Sequence, residues 1–322
     1  MNAYSKPWLT VDQQIDRLRA RGVLVGDPVS AAEFIHRVGY YRLVGYLHPF
    51  RARTDGVEPV SELLEEYRRG TSIDHGRLLM EFDRDLRLLV LDAVERIEVA
   101  VRTRIAHVVG RNGPFAHLEP ASFTQSFVTV DETGTSGHDR WFERVRDRQS
   151  RSDETFVLHF RTRYAGRMPI WALTEILEFG QVARLFGGLA NPIATEVAEA
   201  VGAPSKRVLG SWLASIIYVR NVAAHHARLF NRKLVVAPKR PAGVAAFDHL
   251  RTTEHPKQVF GVYGALLAMA VLLERIDPEC DWNGRLRDLF TRFPDVPGMG
   301  TRDLGAPSGW ESEPVWSSAE RS

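Results

Sequence analysis

Thirteen consecutive residues concentrate the chemistry of this chain. Arg220, Asn221, Val222, Ala223, Ala224, His225, His226, Ala227, Arg228, Leu229, Phe230, Asn231 and Arg232 include three arginines, two histidines and two asparagines. Only small or apolar residues separate the polar groups at 222–224. Cleavage of RNA by its own 2′-hydroxyl needs a group to move the 2′-hydroxyl proton or to protonate the leaving 5′-oxygen. It also needs a cation beside the charge that builds on the phosphate. Histidine and arginine meet both needs without a metal. Arg220, Asn221, His225 and His226 are therefore the candidate catalytic residues, and Arg228 and Arg232 are candidate phosphate contacts.

Helical geometry adds a condition. At about 100° per residue, positions 220 and 225 lie roughly 140° apart on an ideal helix, whereas 221 and 225 share a face. A kink, the reach of the arginine, or assembly from two protomers would bring Arg220 and His225 to one phosphate. Arg102 and His107 repeat the spacing within the long helical pattern Leu78 to Val109, where Glu98 and Arg102 stand at pair spacing. They are expected on a solvated or interface face. Glu95, Glu98 and Arg102 are the residues of that stretch that would border the site, and Arg102 is carried as a further RNA contact.

Other chemistries fit worse. Adjacent histidines point about 100° apart on a helix and have no acidic ligand nearby, so a metal site at His225 and His226 is not expected. Gly187-Gly188 lacks the lysine of a phosphate-binding loop, and no nucleophile elbow occurs. Neither a metal nor a cofactor is implied.

The elements that must position these groups read as helices. Thr10 looks like an N-cap for a helix from Val11 that Gly22 stops, and a second short helix starts at Ser30. It runs into YYRLVGYLHPF, an aromatic and arginine mixture expected as a helix end packed in the core rather than a base-stacking surface. The longest pattern, Leu78 to Val109, steps Phe82, Leu86, Leu89, Ala93, Ile97, Val101, Ile105 and Val108 along one face, a core helix of about 45 Å. From Gly110 to Gly137 the chain reads as a long connection that orders on binding. Helical signals return at Asp139–Tyr164, at Ile170–Leu189, after Ser205, and from Gln258 to Ile276. Strand-like alternation is scarce. The expected fold is an all-α helical bundle divided into residues 1–70, 71–293 and a disordered C-terminal tail, 294–322, which is Gly, Pro and Ser rich.

Composition sets the frame. With 44% apolar and 25% charged residues the chain can bury a core. The net charge is +2, but the basic side is mostly arginine, whose planar fork of donors suits phosphate. The single Cys280 excludes an internal disulfide and fits a reducing, cytoplasmic location. No signal-peptide core or membrane-length apolar run is present, so no membrane partner is expected.

Four blocks, YYRLVGYLHPF, FDRDLRLLVLDAVERIEVAVRTRI, PIWALTEILEFGQVARLF and YVRNVAAHHARLFNR, occur in the order in which they occur in Abi-like proteins of bacterial abortive-infection systems. Arg220, the polar Asn221 and His225 after four intervening residues resemble the signature of the HEPN ribonuclease superfamily. The resemblance implies a HEPN-like helical bundle with additional N-terminal helices, and a metal-independent endoribonuclease toxin acting in phage defence. Arg220 would bind the scissile phosphate, His225 would transfer protons, and Asn221 would orient the phosphate or the histidine. His226, at a spacing of five, fits the signature as well. The resemblance also implies RNA as partner, a homodimer with a composite site at its two-fold axis, and an antitoxin, either protein or noncoding RNA. The alternative within the family is a non-catalytic HEPN module that binds RNA without cleaving it.

Overall fold

Thr10 starts the first helix as its sequence predicts. Its side chain accepts from the Gln13 backbone N–H (3.3 Å) and its own N–H donates to Gln13 Oε1 (3.0 Å), a reciprocal capping box. This opens α1 (Val11–Ala20), and Gly22, at φ +88°, turns the chain out of it. The computed structural model describes residues 7–54, 62–252 and 255–316. The chain divides into two units, one running through Asp85 and including Phe293–Gly300, the other comprising Leu86–Arg292 with the residues from Thr301 on. The first boundary falls inside a helix rather than near residue 70.

In the first unit, Asp27 caps α2 (Pro28–Val38) by accepting from the Ser30 backbone N–H at 2.9 Å. The aromatic block then forms α3 (Tyr40–Leu47). Leu43, Tyr46, Leu47 and Phe50 are buried, and Tyr46 Oη donates to Asp83 Oδ2 at 2.6 Å, so this block is core, with Tyr41 left exposed. A small antiparallel sheet follows, β1 (Arg51–Arg53) with β2 (Leu63–Tyr67), paired Arg51 to Tyr67 and Arg53 to Leu63 with an irregularity between.

One helix, α4 (Ile73–Gly110), is 38 residues long, about 57 Å at the standard rise. Every predicted core position on it is buried except Leu89, which is intermediate. The connection after it is ordered, contrary to expectation. It carries two short 3-10 turns and α5 (Gln125–Val128), with Ala116, His117, Phe123 and Phe127 buried. Aromatic anchoring explains this. Phe127 lies so close to Gly188 that a β-carbon there would meet its ring at 2.4 Å, and Thr124 N–H donates to the Gly188 carbonyl at 2.9 Å.

Two stretches expected as single helices are interrupted. Residues 139–164 form α6 (Gly137–Arg151) and α7 (Thr155–Arg163), and residues 170–189 form α8 (Ile170–Leu173) and α9 (Phe179–Gly188). Then come α10 (Asn191–Ala200) and α11 (Lys206–Ala224). The last apolar stretch also breaks, into α12 (Pro256–Phe260) and α13 (Tyr263–Ile276). At the break, a β-carbon on Gly261 would meet the Leu304 carbonyl oxygen at 2.3 Å, so the chain bends to admit the C-terminal segment. Helix α13 buries residues around most of its circumference, the mark of a central helix, and packs against α11. The last helix is α14 (Trp282–Thr291).

The expected disordered tail is, through Trp316, part of the core. Val296 is buried in the first unit, and Leu304, Trp310, Val315 and Trp316 are buried in the second. Trp316 Nε1 donates to Tyr263 Oη at 2.8 Å. Composition misleads here because a few large apolar side chains outweigh the Gly and Pro around them. Residues 317–322 lie outside the described residues. Among the described residues no helix is long and apolar enough to cross a membrane.

Candidate active site

Helix α11 sets the position of Arg220 and Asn221. Ser205 caps its start, accepting from the Val208 N–H at 3.3 Å, and Trp212, Leu213, Ile216, Val219, Val222 and Ala223 form its buried face. Burial of that face turns Ile217, Arg220 and Asn221 toward a cleft, leaving Arg220 partly buried and Asn221 exposed. Arg220 Nη1 donates to Asn221 Oδ1 at 3.1 Å. No ion pair engages Arg220 among the described residues.

The helix stops four residues after Arg220. His225 is its C-cap at φ −85°, ψ 12°, and His226 is left-handed at φ 55°. His226 N–H donates to the Ala223 carbonyl and Ala227 N–H to the Val222 carbonyl, both at 3.0 Å. This is the paired closure of a Schellman motif, in which the left-handed place is most often taken by glycine. The helix thus ends at His225, whose N–H still donates to the Asn221 carbonyl at 3.0 Å, so the angle expected between 220 and 225 carries over to this last turn, while His226 departs from it. Both histidines are exposed, and neither lines the two clefts that hold Arg220. The structure brings Arg220 and Asn221 together and leaves the histidines just outside.

The larger of these clefts, about 570 Å³, is lined by α4, α11 and the segment around α9. Arg102 belongs to it. Its side chain is 14% exposed, so it does not stand on a solvated face, and it lines the same cleft as Arg220. The reason is satisfaction: Arg102 Nη2 donates to Glu98 Oε1 at 2.7 Å and to the Leu177 carbonyl at 2.9 Å. Its Nε is buried without a hydrogen-bond partner among the described residues. His107 is exposed and does not share the cleft. Glu98 lines both clefts and Glu95 the smaller one. Burial pushes the Glu98 carboxyl above its ordinary range, while the charges of Arg102 and Arg220 pull it back.

Arg232 turns back to its own segment, donating from Nε to the Arg228 carbonyl at 2.6 Å. Neither Arg228 nor Arg232 lines the Arg220 cleft. Arg148, which does line it, was not singled out from sequence. Its signal was available as one of a run of arginines at helical spacing in GHDRWFERVRDRQSR.

The site thus joins a partly buried arginine, which forms no ion pair among the described residues, to an exposed amide in a cleft of a helical protein, with two exposed histidines following. The chain belongs to the Abi-like protein family, whose model matches residues 33–231. That match runs from within α2 to just beyond the histidines. No curated protein and no solved structure matches the chain.

Proposed function

We propose that this protein is a metal-independent endoribonuclease of the HEPN type, acting as a toxin in abortive infection and restrained by a protein or RNA antitoxin. The observation that carries the reading is Arg220. It is an arginine held in a cleft by its helix, bonded to Asn221 and to no carboxylate among the described residues, so its donor fork is open to a phosphate. In the reaction, the substrate's 2′-oxygen attacks phosphorus, the bond from phosphorus to the 5′-oxygen breaks, and a 2′,3′-cyclic phosphate and a 5′-hydroxyl form. Arg220 stabilises the charge on the non-bridging oxygens and Asn221 fixes their orientation. One histidine accepts the 2′-hydroxyl proton and another donates a proton to the 5′-oxygen. Because the histidines stand outside the cleft of their own chain, a homodimer with the two α11 ends facing each other supplies the missing proximity.

The test is cleavage of a single-stranded RNA in EDTA by the purified protein, with cyclic phosphate ends expected. Arg220→Ala and His225→Ala should each lose about 10²-fold or more, and mixing the two variants should restore part of the activity if a site draws on both chains. Divalent-ion dependence with 5′-phosphate ends would overturn the mechanism. The separation of the histidines from the cleft favours one second reading, a module that binds RNA without cleaving it. Tight RNA binding with no cleavage by the wild type would select it.

A further inference from the structure

A third cleft, about 610 Å³, lies between α6 and α9 and is lined by Arg140, Arg144, Arg148, Arg151 and Arg184 against two carboxylates, Asp147 and Glu178. Arg148, Glu178 and Gly180 line this cleft and the Arg220 cleft alike, so the two adjoin along a shared wall, where Arg148 Nε donates to the Ile176 carbonyl at 3.3 Å. We propose that the α6–α9 cleft is the track that carries a single strand of RNA, held by its phosphates, into the site at Arg220. This rests on the ribonuclease reading for the identity of the strand.

Three observations bear on it. The first is the cost to the helix. Arg140, Arg144 and Arg148 follow one another at i, i+4 spacing, where like charges repel and weaken a helix, and Arg151 extends the row by one turn. Folding does not require this row, because α6 is held by Trp141 and Val145, both buried, and by Trp141 Nε1 donating to the Gln181 carbonyl at 3.0 Å. The second is incomplete neutralisation. Arg151 pairs with Asp147 at 2.7 Å and Arg140 with Asp131 at 2.6 Å, while Glu178 stands 4.0 Å from Arg148. Arg144 has no hydrogen bond or ion pair among the described residues. The third is dimension. From Arg140 to Arg151 the row spans about 16 Å, enough for several phosphates, and planar guanidinium forks bind phosphate oxygens in pairs.

The experiment uses the full chain and a fluorescent 2′-O-methyl RNA 12-mer, which lacks the hydroxyl that cleavage consumes and so reports binding alone. Arg144→Glu with Arg151→Glu should weaken binding by about 10-fold or more near 0.1 M salt. It should also flatten the slope of log affinity against log salt by about 1 to 1.5, as expected when two phosphate contacts are lost. Arg104→Glu, an exposed charge reversal on α4 outside both clefts, should change binding by less than about twofold. Unchanged binding in the double variant, or an equal loss per charge in Arg104→Glu, would overturn the track and leave the ribonuclease reading standing. Loss of binding in the double variant, with no cleavage of the unmodified RNA by the wild type, would support the track and remove the ribonuclease reading.

Discussion

At the scale of single residues, the left-handed backbone of His226 separates two roles that sequence spacing leaves joined. A non-glycine residue held there costs about 1–2 kcal/mol. His226→Gly is expected to raise stability by about 1 kcal/mol, read from the urea midpoint. Cleavage retained in this more stable variant assigns proton transfer to His225, and cleavage lost assigns a share of it to His226. The sequence shows both histidines clearly but not that the helix ends at them. Counting at 100° per residue presumes that the helix continues, and AAHHARL contains no Gly, Pro or Asn to mark where it ends. The hydrogen bond from Arg220 to Asn221 was not legible, because neighbouring residues on a helix point about 100° apart and only the reach of the arginine side chain closes the gap.

At the scale of elements, the turn of α4 that carries Glu98 and Arg102 is a wall of the cleft held by paired charge. Arg102 is already engaged by Glu98 and the Leu177 carbonyl, so its main contribution is to hold these segments together. Arg102→Ala leaves a partly buried carboxylate and a carbonyl without their donor and should cost about 1–3 kcal/mol of stability, while reducing cleavage far less than Arg220→Ala. His107→Ala should change neither. Denaturant titration together with initial cleavage rates checks this, and a loss of activity in Arg102→Ala equal to that in Arg220→Ala would place Arg102 in the reaction itself. Elements with a local signal were legible: the Thr10 cap, the apolar stripe of α4 and the buried face of α11. The β1–β2 pair and the break at Gly261 were not, because they depend on partners distant in sequence. The Gly261 bend answers to the Leu304 carbonyl, about which residues 258–276 carry no information.

At the scale of the whole molecule, stability should depend on acidity through a residue that lines none of these clefts. His117 is buried, its Nδ1 has no hydrogen-bond partner among the described residues, and its carbonyl accepts from His138 Nε2 at 2.9 Å. Burial, with a smaller contribution from His138, lowers its pKa from 6.5 to about 4. The unfolded chain therefore takes up this proton near pH 6.5 and the folded chain only near 4. The stabilisation is complete above about pH 6.5 and declines as pH falls toward 4, by about 3 kcal/mol in all. Urea titrations at pH 7 and 4.5 should show a smaller drop for His117→Leu than for the wild type, and equal drops would contradict the assignment. The bundle class was legible at this scale, but the order of residues 110–137 and 294–316 was not. Composition averages over a segment, whereas Phe127, Trp310 and Trp316 each act at one place.

The seating of Trp316 also gives the protein an optical signature. Of its seven tryptophans, Trp8 and Trp171 are exposed, whereas Trp310 and Trp316 are buried with ring centroids 6.4 Å apart. Trp316 in addition donates to the Tyr263 hydroxyl on the central helix. Two indoles at that separation in a rigid apolar setting couple in the near-ultraviolet and emit to the blue of the exposed pair. Trp141, Trp212 and Trp282 are buried as well, so docking of the C-terminal segment on its helix is read in the intrinsic spectrum as the part of the signal that is lost on replacing Trp310 and Trp316 by Phe.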